Sequence, residues 1–187
     1  MSVEQQNITL GEIYRFLGQS LKYPDADWVN TSYWSVLTTL LTELDWLEDR
    51  KALAAWRNST SDFLEDLQVE HTRLFINAVP HVLAPPYASV YAHIDGTLYG
   101  PIAEKTKDFY REKGYALSQE DIPDYIVYEL EFLAILVEQD QDGYETFLDT
   151  LFYPWFPKFE DKVLHETEHP FFIIIVKLID FFTREES

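Results

Sequence analysis

Residues 126–137 read IVYELEFLAILV, and the fold class turns on this stretch. Ile126, Val127, Leu130, Leu133, Ala134 and Val137 recur at spacings of three and four, which puts them on one side of an α-helix. Immediately upstream, Gly114 to Pro123 is polar and reads as a connector. Before it, Gly100-Pro101 opens a helix predicted over Pro101 to Lys113, with proline in the first turn where its missing N–H costs nothing. Asp95-Gly96 marks a turn, Tyr87 to Ile94 a short helix, and the prolines between Pro80 and Pro86 exclude continuous helix there. Thr60 or Ser61 is expected to cap a helix running to about Asn77, with Phe63, Leu64, Leu67, Leu74 and Phe75 on its apolar side. A short helix around Ala52 to Trp56 and another over Ser32 to Leu44 precede it. Thr9 and Glu12 form a capping box for the first helix, in which Leu10, Ile13, Tyr14, Leu17 and Leu21 share a face. Downstream, helices are expected near 143–151, 155–166 and 170–184. No alternating strand pattern interrupts them. The sequence therefore predicts an all-α fold, either one helical domain or two helical subdomains, divided as 1–113, a hinge connector at 114–123, and 124–187.

Composition bounds the function. Hydrophobic residues make up 47% and aromatics 16% of 187 residues, enough for a sizeable core. Against 14 basic residues stand 33 acidic ones, a formal charge of −19. Such a surface repels nucleic-acid phosphates and steers basic ligands toward itself, although solubility alone also accounts for it. There is no cysteine, so no disulfide and no thiolate metal site, as suits a reducing compartment. The stretch MSVEQQNITLGEIYRFLG has neither a basic n-region nor a long apolar h-region. The most apolar run, Pro170 to Phe182, is too short for a bilayer and carries Lys177 and Asp180. A cytoplasmic protein without stable membrane insertion is expected.

His165-Glu166-Thr167-Glu168-His169 matches H-E-x-x-H, which would make the chain a zinc-dependent hydrolase. That chemistry needs both imidazoles on one helical face, with the glutamate as base. His169 precedes Pro170, a position that disfavours α conformation, and the third ligand would fall to Glu185 or Glu186 downstream. The alternative is a polar turn between two helices.

The most unusual constellation lies elsewhere. Glu70-His71-Thr72-Arg73-Leu74-Phe75 is followed by Pro85-Pro86-Tyr87-Ala88-Ser89-Val90-Tyr91, then by Leu98-Tyr99-Gly100-Pro101 and Phe109-Tyr110. Beyond the connector come Asp121-Ile122-Pro123-Asp124-Tyr125 and Leu130-Glu131-Phe132. In order and spacing these resemble the TorD/DmsD/NarJ family of redox-enzyme maturation chaperones, most closely over residues 60 to 135. In that family an x-x-L-F helix end leads to P-P-[YW]-x-S-V-Y, and an E-P-x-D-H motif lies in the hinge. Here Ile122 replaces the motif's proline and Tyr125 its histidine. A phenol, with an ordinary pKa of about 10, does not take over a histidine's charge near neutrality.

The resemblance implies a cytoplasmic all-α chaperone, not an enzyme, without a cofactor of its own. Its partner would be an apo-molybdoenzyme subunit of anaerobic respiration, held through its twin-arginine signal peptide during cofactor insertion. It implies either a monomer or a domain-swapped homodimer. A generic acidic helical adaptor is the other reading. Recognising a twin-arginine segment calls for an apolar groove with carboxylates at its rim. Leu74, Phe75, Pro85, Pro86, Tyr87, Ser89, Val90 and Tyr91 are the candidate walls, and Asp121, Asp124, Tyr125 and Glu131 the candidate polar margin. Each also has a packing role open to it: Leu74 and Phe75 as core, Asp124 as the cap of a helix starting at Pro123.

Overall fold

A computed structural model describes residues 8–79, 81–92 and 98–184. Among them are ten α-helices: α1 (Leu10–Ser20), α2 (Thr31–Glu43), α3 (Leu47–Ser59), α4 (Phe63–His71), α5 (Ala88–Ala92), α6 (Pro101–Glu112), α7 (Ile126–Gln139), α8 (Gln141–Phe147), α9 (Phe156–Glu166) and α10 (Pro170–Arg184). Two π-helical turns, Thr72–Ile76 and Leu148–Phe152, prolong α4 and α8. The all-α expectation holds among the described residues; the predicted Asp95-Gly96 turn lies outside them.

Local chemistry explains most boundaries. The Thr9 hydroxyl accepts from Glu12 N at 3.2 Å and Glu12 accepts from Thr9 N at 2.8 Å, the reciprocal bonds of a capping box. Asp62, rather than Thr60 or Ser61, caps α4: its Oδ1 accepts from Leu64 N and Glu65 N, each at 3.1 Å. Helix α3 is longer than its apolar pattern indicates. Only Leu53 is buried in it, and good helix formers such as Glu48, Lys51 and Ala54 extend it on the solvent side.

The chain forms two compact units, each discontinuous in sequence. The first comprises residues 1–20, 86–158 and 179–187, so the polar connector at 114–123 falls inside it rather than dividing the chain. Its core is built on α7, where Ile126, Val127, Leu130, Leu133 and Ala134 are fully buried. Each large apolar side chain taken from water contributes roughly 1.5–3 kcal/mol. Helix α1 packs along α7, and Gly11 permits the approach: a Cβ there would meet the Ala134 carbonyl oxygen at 3.1 Å. The Tyr14 and Tyr144 hydroxyls are 2.5 Å apart, and Tyr14 Oη donates to the Phe182 carbonyl at 3.0 Å.

The second unit comprises residues 21–85 and 159–178. Trp34, Leu37 and Leu41 of α2, Leu53 of α3, Leu67 of α4, Phe159 and Val163 of α9 and Phe171, Phe172 and Ile175 of α10 are buried in it. Among the described residues no helix is long and apolar enough to cross a membrane.

Candidate functional site

The Pro-Pro-aromatic segment and the end of the connector meet in the first unit. Ala88 N donates to the Asp124 carbonyl and Ile126 N to the Pro86 carbonyl, both at 3.0 Å, pairing Tyr87 with Tyr125 as an isolated antiparallel bridge. Their rings lie 5.3 Å apart. Burial raises both phenols above the ordinary tyrosine value, so Tyr125 stays uncharged where a histidine could titrate.

Asp124 is fully buried and turned inward. Its Oδ2 accepts from Ser89 N at 2.5 Å, so it caps α5 from across the bridge rather than capping α7, whose N-cap is Tyr125. The Ser89 hydroxyl in turn accepts from Tyr99 N at 3.1 Å, and Tyr110 Oη donates to the Pro123 carbonyl at 3.0 Å. Below the bridge lies Glu129, also fully buried, whose Oε2 accepts from Trp155 Nε1 at 3.1 Å. Desolvation, then the neighbouring Asp124, pushes the Glu129 carboxyl well above the usual range. Asp124 Oδ1 and Glu129 Oε1 have no hydrogen-bond partner among the described residues.

Beside this scaffold the connector edges two shallow depressions. One, of about 120 Å³, is mostly apolar; Phe132 and Tyr110 line it, with Ile135, Tyr128 and Glu131 contributed by α7 and Leu117 by the connector. The other, of about 140 Å³, adjoins Asp121, Tyr99 and Lys107. Tyr115, Ala116 and Leu117 line both. Asp121 is held at the connector's end: its Oδ1 accepts from Tyr128 Oη at 2.6 Å and its Oδ2 from Ser118 Oγ at 2.8 Å. Those bonds lower the Asp121 carboxyl and push the Tyr128 phenol up to about 12. The apolar depression thus has Glu131 in its lining, and the neighbouring one has Asp121.

The expected site residues are distributed unevenly. Tyr87, Val90, Tyr91, Tyr125, Asp121 and Glu131 are part-exposed in the first unit, whereas Pro86, Ser89 and Asp124 are buried there. Leu74, Phe75 and Pro85 belong to the second unit. Leu74 and Phe75 sit in the π-helical turn after α4 and are buried, the Phe75 ring lying 5.0 Å from His71 and 5.6 Å from Phe172. As placed they are core side chains, not an open wall, and Asp124 is a buried cap, not a rim carboxylate. Leu117, Tyr128 and Ile135 were not expected. Their signal was present, since Tyr128, Glu131 and Ile135 form a second helical stripe on α7 beside the one that fills the core.

The H-E-x-x-H segment lacks the geometry of a zinc helix. Helix α9 ends at Glu166, and His169 lies beyond it, so the two imidazoles share no helical face. His169 Nδ1 accepts from Phe171 N at 3.3 Å at the start of α10, and its ring packs 4.5 Å from Trp56. Glu185 and Glu186 are outside the described residues. No three His, Asp or Glu side chains among the described residues gather as a metal-holding group.

A profile of the family described as the nitrate reductase delta subunit matches residues 37–161, which include Pro85–Tyr91 and Asp121–Glu131. The chain belongs to that family. The TorD/DmsD/NarJ resemblance seen in the sequence is thereby upheld. The chaperone protein TorD of Vibrio vulnificus, from strains YJ016 and CMCP6, is 27% identical over 136 residues, 65% of this chain and 63% of that protein. The match thus spans less than two thirds of those relatives' length. A crystal structure described as a redox enzyme maturation protein from Archaeoglobus fulgidus superposes with a TM-score of 0.64 at 25% identity, covering 98% of this chain and 100% of that one. That protein and this chain therefore share a fold.

Proposed function

We propose that this chain is a cytoplasmic maturation chaperone for a molybdenum-containing redox enzyme, binding the twin-arginine signal peptide or the apo-subunit before export and catalysing no covalent reaction. Family membership carries the reading, and two adjoining depressions in the first unit support it, the apolar one lined by Glu131 and the other by Asp121. The signal peptide's apolar stretch would lie against Leu117, Phe132 and Ile135, and its arginines would meet Glu131 and Asp121. Tyr87, Val90, Tyr91 and Tyr125 would extend the contact surface. Pro86, Ser89 and Asp124 would hold that surface in shape.

Magnitudes assign the parts different tasks. Covering one large apolar side chain contributes roughly 1.5–3 kcal/mol, whereas an exposed ion pair contributes about 0–1 kcal/mol. The hollow sets affinity, and the acidic margin, with a whole-chain charge of −19, sets encounter rate and orientation. Calorimetric titration with candidate twin-arginine leader peptides tests this. Leu117→Asp should abolish binding, and Glu131→Gln should weaken it modestly and reduce its salt dependence. A folded protein that binds no such leader and retrieves no molybdoenzyme precursor from anaerobically grown cells would be an adaptor of another kind.

A further inference from the structure

The second unit holds a groove that the reading above does not use. It has a volume of about 470 Å³ and runs along α2, where Thr31, Ser35, Thr38 and Thr42 present hydroxyls at helical spacing. Arg57 of α3 borders it, with its guanidinium 4.4 Å from the centroid of the Trp34 ring and 5.7 Å from that of Phe63. Arg50 reaches the far end, its Nη1 donating to Thr42 Oγ1 at 3.1 Å.

Two observations separate this groove from an ordinary polar surface. The chain has six arginines, and Arg15, Arg73, Arg111 and Arg184 are each ion-paired to a carboxylate. Arg50 and Arg57 make no ion pair among the described residues, in a protein where acids outnumber bases more than two to one. Trp34, only 4% exposed, lines the same groove, and its indole N–H has no hydrogen-bond partner among the described residues. A buried donor left unmatched is costly, so the Trp34 indole marks a local irregularity in the groove's lining.

We propose that this groove binds a small phosphate monoester with a hydroxyl-bearing body, of the sugar-phosphate class. Arg57 of α3 and the hydroxyls of Thr31 and Ser35 on α2 are the donors that line the groove, with Trp34 between them. A tetrahedral phosphate with three peripheral oxygens uses such a set better than a planar carboxylate does. The first turn of α2 adds its positive end. Farther along, Thr38, Thr39 and Thr42, with Glu43 as acceptor, suit hydroxyls rather than an apolar tail. The volume falls within the roughly 300–1,000 Å³ of small-ligand sites. The surrounding negative charge slows the approach of an anion, but at physiological salt it is screened beyond about 8 Å.

The test follows the Trp34 indole N–H resonance of the full chain while inorganic phosphate, glucose 6-phosphate, glucose and acetate are added separately. Glucose 6-phosphate should shift it saturably, inorganic phosphate more weakly, and glucose and acetate not at all. Arg57→Gln, an exposed change whose fold is checked by circular dichroism, should weaken binding at least about tenfold. Arg50→Gln should weaken glucose 6-phosphate more than inorganic phosphate. A resonance unmoved by either phosphate through the millimolar range overturns the proposal. So does an equal response to acetate, or unchanged binding in both arginine variants. None of these outcomes depends on whether leader peptides bind the first unit.

Discussion

Replacing Asp124 decides between a buried cap and a contact for an incoming arginine. In the structure its carboxylate accepts the Ser89 N–H at 2.5 Å, with both groups fully buried. Asp124→Ala strands that N–H where water does not reach it. A hydrogen bond to a charged group is worth about 1.5–3 kcal/mol, so a loss of about 2–3 kcal/mol is expected. Asp124→Asn keeps an oxygen for Ser89 and removes a charge held beside Glu129, so it should lie within about 1 kcal/mol of the native protein. Urea unfolding reads both. With slopes of about 1–3 kcal/mol per molar urea, Asp124→Ala should lower the midpoint by about 1 M or more. Leader-peptide titration completes the pair, since a cap replaced by Asn leaves binding intact. If Asp124→Ala unfolds at the native midpoint while Asp124→Asn abolishes binding, the carboxylate is a contact and the capping argument is wrong.

Glu129 has a carboxyl raised in the folded state, so its contribution to stability is full below its ordinary pKa and is lost as pH rises through the folded value. Glu129→Gln should remove that loss, and urea midpoints of the two proteins should diverge steadily above about pH 4.5. His169 is lowered, chiefly by burial, so its contribution is present above the ordinary histidine value and lost as pH falls through the lowered one. Protonating Nδ1 would set a second donor against Phe171 N, so His169→Asn should flatten the part of the acid-side slope not due to His71, which is lowered too. Gly114 has φ +85° with open space around it. Gly114→Ala should therefore cost about 1–2 kcal/mol through backbone strain alone, read as a lower thermal midpoint.

How far the sequence revealed the molecule depended on what each signal encodes. Periodicity located α1 and α7, and an apolar run located α10, because both are local properties of the chain. It understated α3, whose single buried residue, Leu53, leaves almost no stripe to detect. The Leu74-Phe75 pair was visible as a motif, but a motif does not say which way its side chains face, and the π-helical turn buries both. The connector's polarity was legible. Its inclusion within one unit was not, because that depends on contacts made by α1 and by the end of α10, which are remote in sequence.

The acidic residues around the bridge carry the same lesson further, and here the sequence held more than its periodicity reading used. Asp121 and Glu131 lie toward solvent, while Asp124 and Glu129 are fully buried. Composition treats the four alike as part of a charge of −19. Yet Glu129 stands three residues after Ile126 and four before Leu133, on the stripe that fills the core. A carboxyl on such a stripe is seldom buried without a partner. Trp155, more than twenty residues downstream, supplies one, which is why its indole nitrogen faces Glu129 at 3.1 Å rather than lying against hydrocarbon alone. An acid placed in register with a helix's apolar face thus foretells a buried donor elsewhere, and the chain's large aromatic side chains with polar tips are where that donor should be sought.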